Sequence, residues 1–486
     1  MSSNQDKMEG VLLATAAGDA LGAAYEFKPP LHPQESVEMK RSPLWAAGEW
    51  TDDTSMAIAI AEVAAQGLDL RDEAAQDAIV QRWHLWAQTS PDVGIQTREV
   101  LSRAARGGTI TAARTRKESE ALHRETGRTA GNGSLMRTAP VALAYLDDED
   151  AMVAAARSLS ELTHFDPQAG EACVLWCCAI RHAVLTGDID VRVGLGHLAP
   201  DRRAVWEDHI LGAESAVPAD FEKNGFVVQA LQGAWSAIHG PPDPEDDRAH
   251  GPCRADRLRL ALEAAVRGGR DADTVAAIAG GLLGAAYGAS AVPLHWRGML
   301  KGWPNATART LVQLASAIER RGGPDDFDYS YPGSPVDTLA RHPYDPQVVL
   351  GGVGVLRSLP DDVDAVVSMC RLRDEDIRTD MPHLEVRLID RPEDDENPHL
   401  DYVLLGAVRA VERLRAQGRT VLVHCVGAYS RTPTMGTLYG LRLRGVSAEQ
   451  ALSDVTTVLP GAHPNRAFRA ALNRAEQWPT AEAVGR

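Results

Sequence analysis

Basic residues are in deficit: 50 lysines and arginines stand against 67 aspartates and glutamates, for a formal charge of −17. Broad, sequence-independent binding to nucleic acid needs a basic surface, so that class is excluded, although one local basic pocket remains compatible with the total. Cysteine is scarce as well. Six irregularly spaced cysteines in 486 residues exclude a disulfide framework and match no zinc-ligand spacing. Three of them, Cys173, Cys177 and Cys178, lie in the apolar stretch GEACVLWCCAIRHAV and read as buried thiols. No apolar run approaches the roughly 20 residues of a bilayer span. The N-terminal MSSNQDKMEG lacks the basic and apolar regions of a secretory signal, so a cytoplasmic protein without membrane contact is expected. There is no G-x-x-x-x-G-K-[ST], and GGVGVLR (351–357) lacks the third glycine of a dinucleotide fingerprint.

What the chain does have is length for more than one core, and acid. Alanine-rich amphipathic stretches such as MAIAIAEVAAQ (56–66), EDAMVAAARSLSEL (149–162) and DTVAAIAGGLLGAAYG (273–288) predict an all-α domain over 1–325. Within it, 238–256 has the composition of a long exposed loop. Pro, Gly, Asp and Ser dominate the next stretch, and 326–345 reads as a linker. Beyond it, short β-branched runs at 347–353, 364–370 and 420–425 alternate with a helical stretch at 402–418. They predict an α/β domain over 346–486. The expected architecture is therefore multi-domain, all-α followed by α/β.

Two acidic clusters lie far apart but share a design. EWTDDTSM places Thr51, Asp52, Asp53 and Thr54 before an apolar helix, and RDADTVAAIAGG opens another helix with Asp271, Asp273 and Thr274. Helix capping explains one such cluster. Two clusters of adjacent oxygens also suit magnesium or manganese. The same region carries GDALGAAYEF with Glu26, PDVG with Asp92 and Gly94, and GNGSLMR with Gly131, Asn132, Gly133 and Ser134. LTHFDP, with His164, completes the set. The glycine-rich loop permits close approach of a phosphate. Individually, Glu26 reads as a surface residue and His164 as a structural one.

Taken in order, these fragments resemble the ADP-ribosylglycohydrolase family, which includes the enzyme that reactivates dinitrogenase reductase and the eukaryotic ADP-ribosyl-hydrolases. The resemblance covers about 1–320. It implies an all-α domain holding two Mg²⁺ or Mn²⁺ ions on Thr51, Asp52, Asp53, Asp271, Asp273 and Thr274. It makes Glu26 the acidic residue beside the metals, and Gly131, Asn132, Gly133 and Ser134 the loop around the ADP-ribose phosphates. His164, Asp92 and Gly94 fall at substrate-side positions. The expected partner is an ADP-ribosylated protein, nucleic acid or small molecule, and the expected reaction a metal-assisted hydrolysis at the ribose C1.

The second chemistry-bearing motif is TVLVHCVGAYSRTPT (420–434), in which Cys425 ends a strand run and Arg431 follows after five residues. Backbone N–H groups of 426–431 and the Arg431 guanidinium are placed to hold a phosphate and to activate the thiol. Ser430 or Thr432 is placed to assist the departure of the thiol. This segment resembles the dual-specificity branch of the protein-tyrosine-phosphatase family over roughly 346–486. The resemblance implies a phosphorylated substrate, Cys425 as nucleophile and Asp390 as general acid, with Asp394 and Asp395 as rivals. It departs from the family in one place: Ala428 stands where glycine is usual, which predicts a strained loop. A competing reading makes the chain a binding module for ADP-ribose and phosphate, with one or both sites non-catalytic; Glu26 and the two complete acidic clusters favour catalysis.

Overall fold

The computed structural model describes residues 3–240, 254–325, 327, 337–393 and 396–478. The helical half is organised on one close helix pair. The first helix, Ser3–Gly22, runs antiparallel to Ala272–Tyr287, with Gly10 opposite Gly284, Ala14 opposite Gly280, Gly18 opposite Ala276 and Gly22 opposite Asp273. A Cβ at Gly18 would lie 2.1 Å from the Ala276 carbonyl oxygen, and one at Gly22 would lie 2.3 Å from the Asp273 Cα. The two backbones therefore touch, and only small residues fit along the seam. Gly22→Ala should wedge the pair apart and destabilise the fold by about 1–3 kcal/mol, read as a lower urea midpoint at constant m-value. An unchanged midpoint would mean that the seam tolerates separation.

Helix Pro167–Thr186 shows how local chemistry delimits an element. Asp166 accepts from the Gln168 N–H, Pro167 occupies the first turn, and Gly187 closes the end at φ 89°. This helix also corrects an expectation. It is long and apolar enough to cross a membrane, and 78% of its most apolar window is buried inside the protein. Its apolarity matches the helices that surround it, and Cys173, Cys177 and Cys178 lie buried in it as free thiols.

The second half is a five-stranded sheet in the order Leu339–Arg341, Val348–Gly352, Val421–Cys425, Ala365–Ser368, His383–Glu385. The last four strands are mutually parallel and the first is an antiparallel edge. Val348–Gly352, Ala365–Ser368 and Val421–Cys425 are buried throughout, as continuous apolar runs covered on both faces should be. Helix Leu400–Ala416 precedes the central strand Val421–Cys425, and helices Arg431–Arg444, Ala448–Val458 and Arg466–Ala475 follow it. The stretch expected as linker (326–345) contains the edge strand, so its C-terminal part belongs to the sheet. Of the expected loop 238–256, residues 241–253 lie outside the described residues, as do Asp394 and Asp395.

Charged groups join the halves. Arg387, beyond the last strand, meets Asp6 (3.0 Å) and Glu9 (3.4 Å) of the first helix. Arg309 reaches Glu385 (2.5 Å) and Asp374 (2.7 Å), and the His399 ring lies 2.8 Å from the Tyr287 carbonyl oxygen.

Candidate active site

The acidic cage is assembled by a residue that composition and capping arguments passed over. Asp19, fully buried on the first helix, accepts from the Thr51 N–H (2.8 Å) on one carboxylate oxygen and from the Thr54 N–H (2.9 Å) on the other. One carboxylate thus caps the helix Asp52–Ala64 and positions the whole Thr51–Thr54 cluster. The sequence signal was the Asp of GDALG, flanked by small residues that allow the close helix pair.

Because Gly22 rests on Asp273, the same seam brings the second cluster to the first. Oxygens of Asp19, Asp53 and Asp273 lie within 4.8 Å of one another, and so do those of Glu26, Asp271 and Asp273. Asp273 belongs to both groups. Thr51 Oγ1 donates to Asp53 (3.0 Å) and stands 3.5 Å from Asp273, across 222 residues of sequence. Glu26 is held in place by Phe27, whose N–H donates to the Arg270 carbonyl (2.6 Å) from a left-handed backbone at φ 59°. Asp271 is fixed by Asn132 Nδ2 (2.7 Å) and by the Thr274 hydroxyl.

The electrostatics follow from burial and crowding. Burial pushes the Glu26 carboxyl up to about 8, reinforced by the charges of Asp271, Asp92 and Asp52. The same effect takes Asp52 to about 7, with Asp19 as the strongest neighbouring charge. Asp53 and Asp273 are raised well above the carboxylate range, again by burial first and mutual repulsion second. Asp53 Oδ1 and Asp273 Oδ1 are buried without any hydrogen-bond partner. Orphaned oxygens inside a repelling carboxylate cage fit divalent cations, which would satisfy both deficits.

The glycine-rich loop stands beside the cage in a single 3₁₀ turn, Asn132–Ser134. His164 packs against it: a Cβ at Gly133 would lie 2.9 Å from the ring. Arg137 donates to Thr163 Oγ1 (2.6 Å), which lies 2.7 Å from His164 Nδ1, so the ring is fixed with Nε2 toward the loop. Burial, with help from Arg137, keeps that ring neutral. Two expected phosphate contacts are redirected. The Asn132 amide is used on Asp271 and the Asn224 carbonyl, and the buried Ser134 hydroxyl accepts from Ser160 (2.9 Å) and Cys173 (3.6 Å). A ligand would meet the Ser134 backbone rather than its hydroxyl. Gly94 stands over Asp52, since a Cβ there would lie 3.8 Å from Oδ2, and Asp92 adds its charge to the same field.

In the second half, the central strand delivers Cys425, and Arg431 begins the helix that follows. Asp390 accepts from Ser430 Oγ (2.7 Å) and Asn465 Nδ2 (3.0 Å), and it lies 3.5 Å from Arg431 Nε. Arg431 Nη1 donates to the carbonyls of Met369 (2.7 Å) and Leu388 (3.1 Å). Thr432 is tied to the Gly351 carbonyl (3.1 Å), which leaves Ser430 as the hydroxyl beside the acid. Ala428 adopts φ 58°, the left-handed backbone expected from its place in the loop. Ala428→Gly should therefore stabilise the protein by about 1 kcal/mol, measured as a higher urea midpoint; a fall would show that the loop carries no strain.

The ADP-ribosylglycohydrolase family profile matches residues 1–326. The chain belongs to this family. Relatives within it include an ADP-ribosylarginine hydrolase, Tri1, of Serratia proteamaculans, 28% identical over 61% of this chain and 75% of that protein. Another is the ADP-ribosyl-[dinitrogen reductase] glycohydrolase of Rhodospirillum rubrum, 30% identical over 60% of this chain and 90% of that protein. The helical half is thus an ADP-ribosylglycohydrolase-type domain, and the chain extends 160 residues past the family match. That extension is similar to dual specificity phosphatase 28 of Mus musculus, 34% identical over 101 residues, which are 21% of this chain and 60% of that protein.

Proposed function

We propose that the helical half hydrolyses the bond between ADP-ribose and an arginine acceptor, using two Mg²⁺ or Mn²⁺ ions held by Thr51, Asp52, Asp53, Asp271, Asp273 and Thr274. The observation that carries this reading is Asp273 shared between two carboxylate groups, with Asp53 Oδ1 and Asp273 Oδ1 buried and without a hydrogen-bond partner. When bound, the cations supply Lewis-acid orientation of the ribose hydroxyls and activation of a water. Asp19 and Asn132 keep the Thr51–Thr54 and Asp271 oxygens in register. Glu26, whose carboxyl is held above its usual range by burial and the neighbouring acids in the cation-free cage, stands beside the proposed ligands Asp271 and Asp273, where it can take a proton from the attacking water or give one to the leaving guanidine. The loop at 131–134 offers backbone to the pyrophosphate, and His164 Nε2 faces it.

Purified protein with Mg²⁺ should release ADP-ribose from ADP-ribosyl-arginine, and EDTA should stop it. Release insensitive to EDTA would end the metal assignment. The cage also sets a pH dependence. In EDTA the folded state binds protons more tightly than the unfolded chain, because Asp52 rises from 3.8 to about 7 and Glu26 from 4.5 to about 8. That stability is fully present below about pH 4 and is lost as pH rises through 7–8. The Tm in EDTA should fall across pH 5–8, and the gain on adding Mg²⁺ should grow over the same window. A flat profile would show that the carboxylates do not repel.

A second activity is proposed for the α/β half: hydrolysis of a phosphate monoester through Cys425. It is supported by Cys425 ending the central strand, Arg431 opening the next helix, and Asp390 hydrogen-bonded to the same loop. Cys425 Sγ attacks phosphorus and forms the S–P bond as the ester P–O bond breaks. Asp390 protonates the departing oxygen, and water then cleaves S–P to release inorganic phosphate. Arg431 Nε makes no hydrogen bond, which leaves a donor for a phosphate oxygen.

A further inference from the structure

The acidic cage is open on one side. Asp53 and Asp273 are buried, whereas Glu26, Asp52, Asp92 and Asp271 are half-buried, so solvent reaches the cage along these four. Two apolar side chains border that opening. Phe27 follows Glu26 and is 78% exposed; Ile95 follows Gly94, which stands over Asp52, and is 91% exposed. Glu26 feels the charges of both Asp52 and Asp92, which places the two segments at one mouth. Among the described residues, these are the two most exposed large apolar side chains of the protein. Scattered singly, such residues are ordinary; the two extremes at one opening call for a partner. Phe27 also holds a left-handed backbone at φ 59°, which a bulky side chain adopts at a cost. Its exposed ring gains little packing in return. Strain without packing, next to a proposed catalytic carboxylate, points to a contact made with a ligand.

We propose that Phe27 and Ile95 grip the polypeptide on either side of the ADP-ribosylated arginine, so that the site prefers a protein acceptor with apolar residues next to that arginine. The inference rests on the arginine-hydrolase reading above. Phe27 adjoins Glu26 and Ile95 adjoins the contact of Gly94 with Asp52, so both stand at the cation end of the site, where the ribose C1 and the departing guanidine belong. Both are mounted rigidly. The Phe27 N–H is tied to the Arg270 carbonyl (2.6 Å), and Gln96 donates to the carbonyls of Thr129 (3.2 Å) and Thr163 (2.7 Å), which fixes the start of helix Ile95–Ala105. A preformed apolar rim binds at a small ordering cost. It suits a polypeptide, whereas a nucleic-acid acceptor would meet a chain of net charge −17.

The test uses the full chain with Mg²⁺ and three substrates: free ADP-ribosyl-arginine, a short peptide whose ADP-ribosyl-arginine lies between two leucines, and the same peptide with serines in their place. The leucine peptide should show a kcat/KM about tenfold above the serine peptide, as expected when two exposed apolar side chains are partly covered. Ile95→Ser and Phe27→Asn should each lower that ratio by about threefold, and the double variant should abolish it. Asparagine keeps the backbone N–H of Phe27 and tolerates the left-handed backbone, so the turn that carries Glu26 is retained. Equal turnover of the two peptides by the wild type would overturn the proposal, as would a ratio unmoved in the double variant. An equal loss on all three substrates would also overturn it, by placing the rim on ADP-ribose itself. If the wild type releases ADP-ribose from none of the three, the hydrolase reading fails. Fluorescence polarisation of the two labelled peptides then decides the rim separately: tighter binding of the leucine peptide that the double variant loses supports it, and equal or absent binding overturns it.

Discussion

Asp273→Asn should lower kcat/KM for ADP-ribosyl-arginine by on the order of 10³, the loss expected when several kcal/mol of charge stabilisation disappears. The same substitution should raise the Tm in EDTA. Asp273 is buried, carries an oxygen without a partner, and feels the charges of Glu26, Asp53, Asp271 and Asp19. Removing its charge relieves that repulsion when no cation is present, and 1 kcal/mol corresponds to about 2–4 °C in a domain of this size. With Mg²⁺ the order should reverse, the wild type gaining more than the variant because it holds both cations. Opposite signs in the two buffers distinguish a ligand from a structural carboxylate. A variant less stable than wild type in both would mean that Asp273 is held by ordinary hydrogen bonds. Residual turnover above a tenth of wild type would remove it from the site altogether.

The second large effect is expected at the thiol. Cys425→Ser should reduce p-nitrophenyl phosphate turnover by at least about 10⁴, since removal of a nucleophile eliminates the covalent route rather than slowing it. Asp390→Asn should cost less, about 10²–10⁴. Its loss should be smallest with p-nitrophenol as leaving group, because an acidic alcohol departs without a proton. Rapid-quench trapping of the phospho-cysteine in the wild type, and its absence in the serine variant, checks the order of events. Equal activity in Cys425→Ser and wild type would assign the turnover to another site.

Both halves were legible in residue order, for different reasons. Buried parallel strands are short, continuous and apolar, so 347–353, 364–370 and 420–425 announced themselves. The edge strand Leu339–Arg341 did not, because three residues, two of them exposed, in a Pro- and Asp-rich stretch carry no period. Nor did the apolar length of Pro167–Thr186 register, since Glu171 and Arg181 interrupt it; each finds an ion partner, in Arg202 and Glu149. The site was legible as chemistry rather than as geometry. Thr51, Asp52, Asp53, Asp271, Asp273 and Glu26 could be named, whereas the roles of Asn132 and Ser134 could not be read from a glycine-rich loop alone.

By itself the sequence determined which oxygens, thiol and guanidinium groups are available, which helix or strand end carries each, and that the chain has two dissimilar halves. These are local properties, set by composition and by spacing within one element. Only the tertiary structure decided which groups meet. Asp19 joins the cage because glycines let two helix backbones touch. Asn132 turns inward because Asp271 needs a donor, and Phe27 and Ile95 border one opening although they lie in separate segments. Each depends on distances between parts of the chain that no local period encodes.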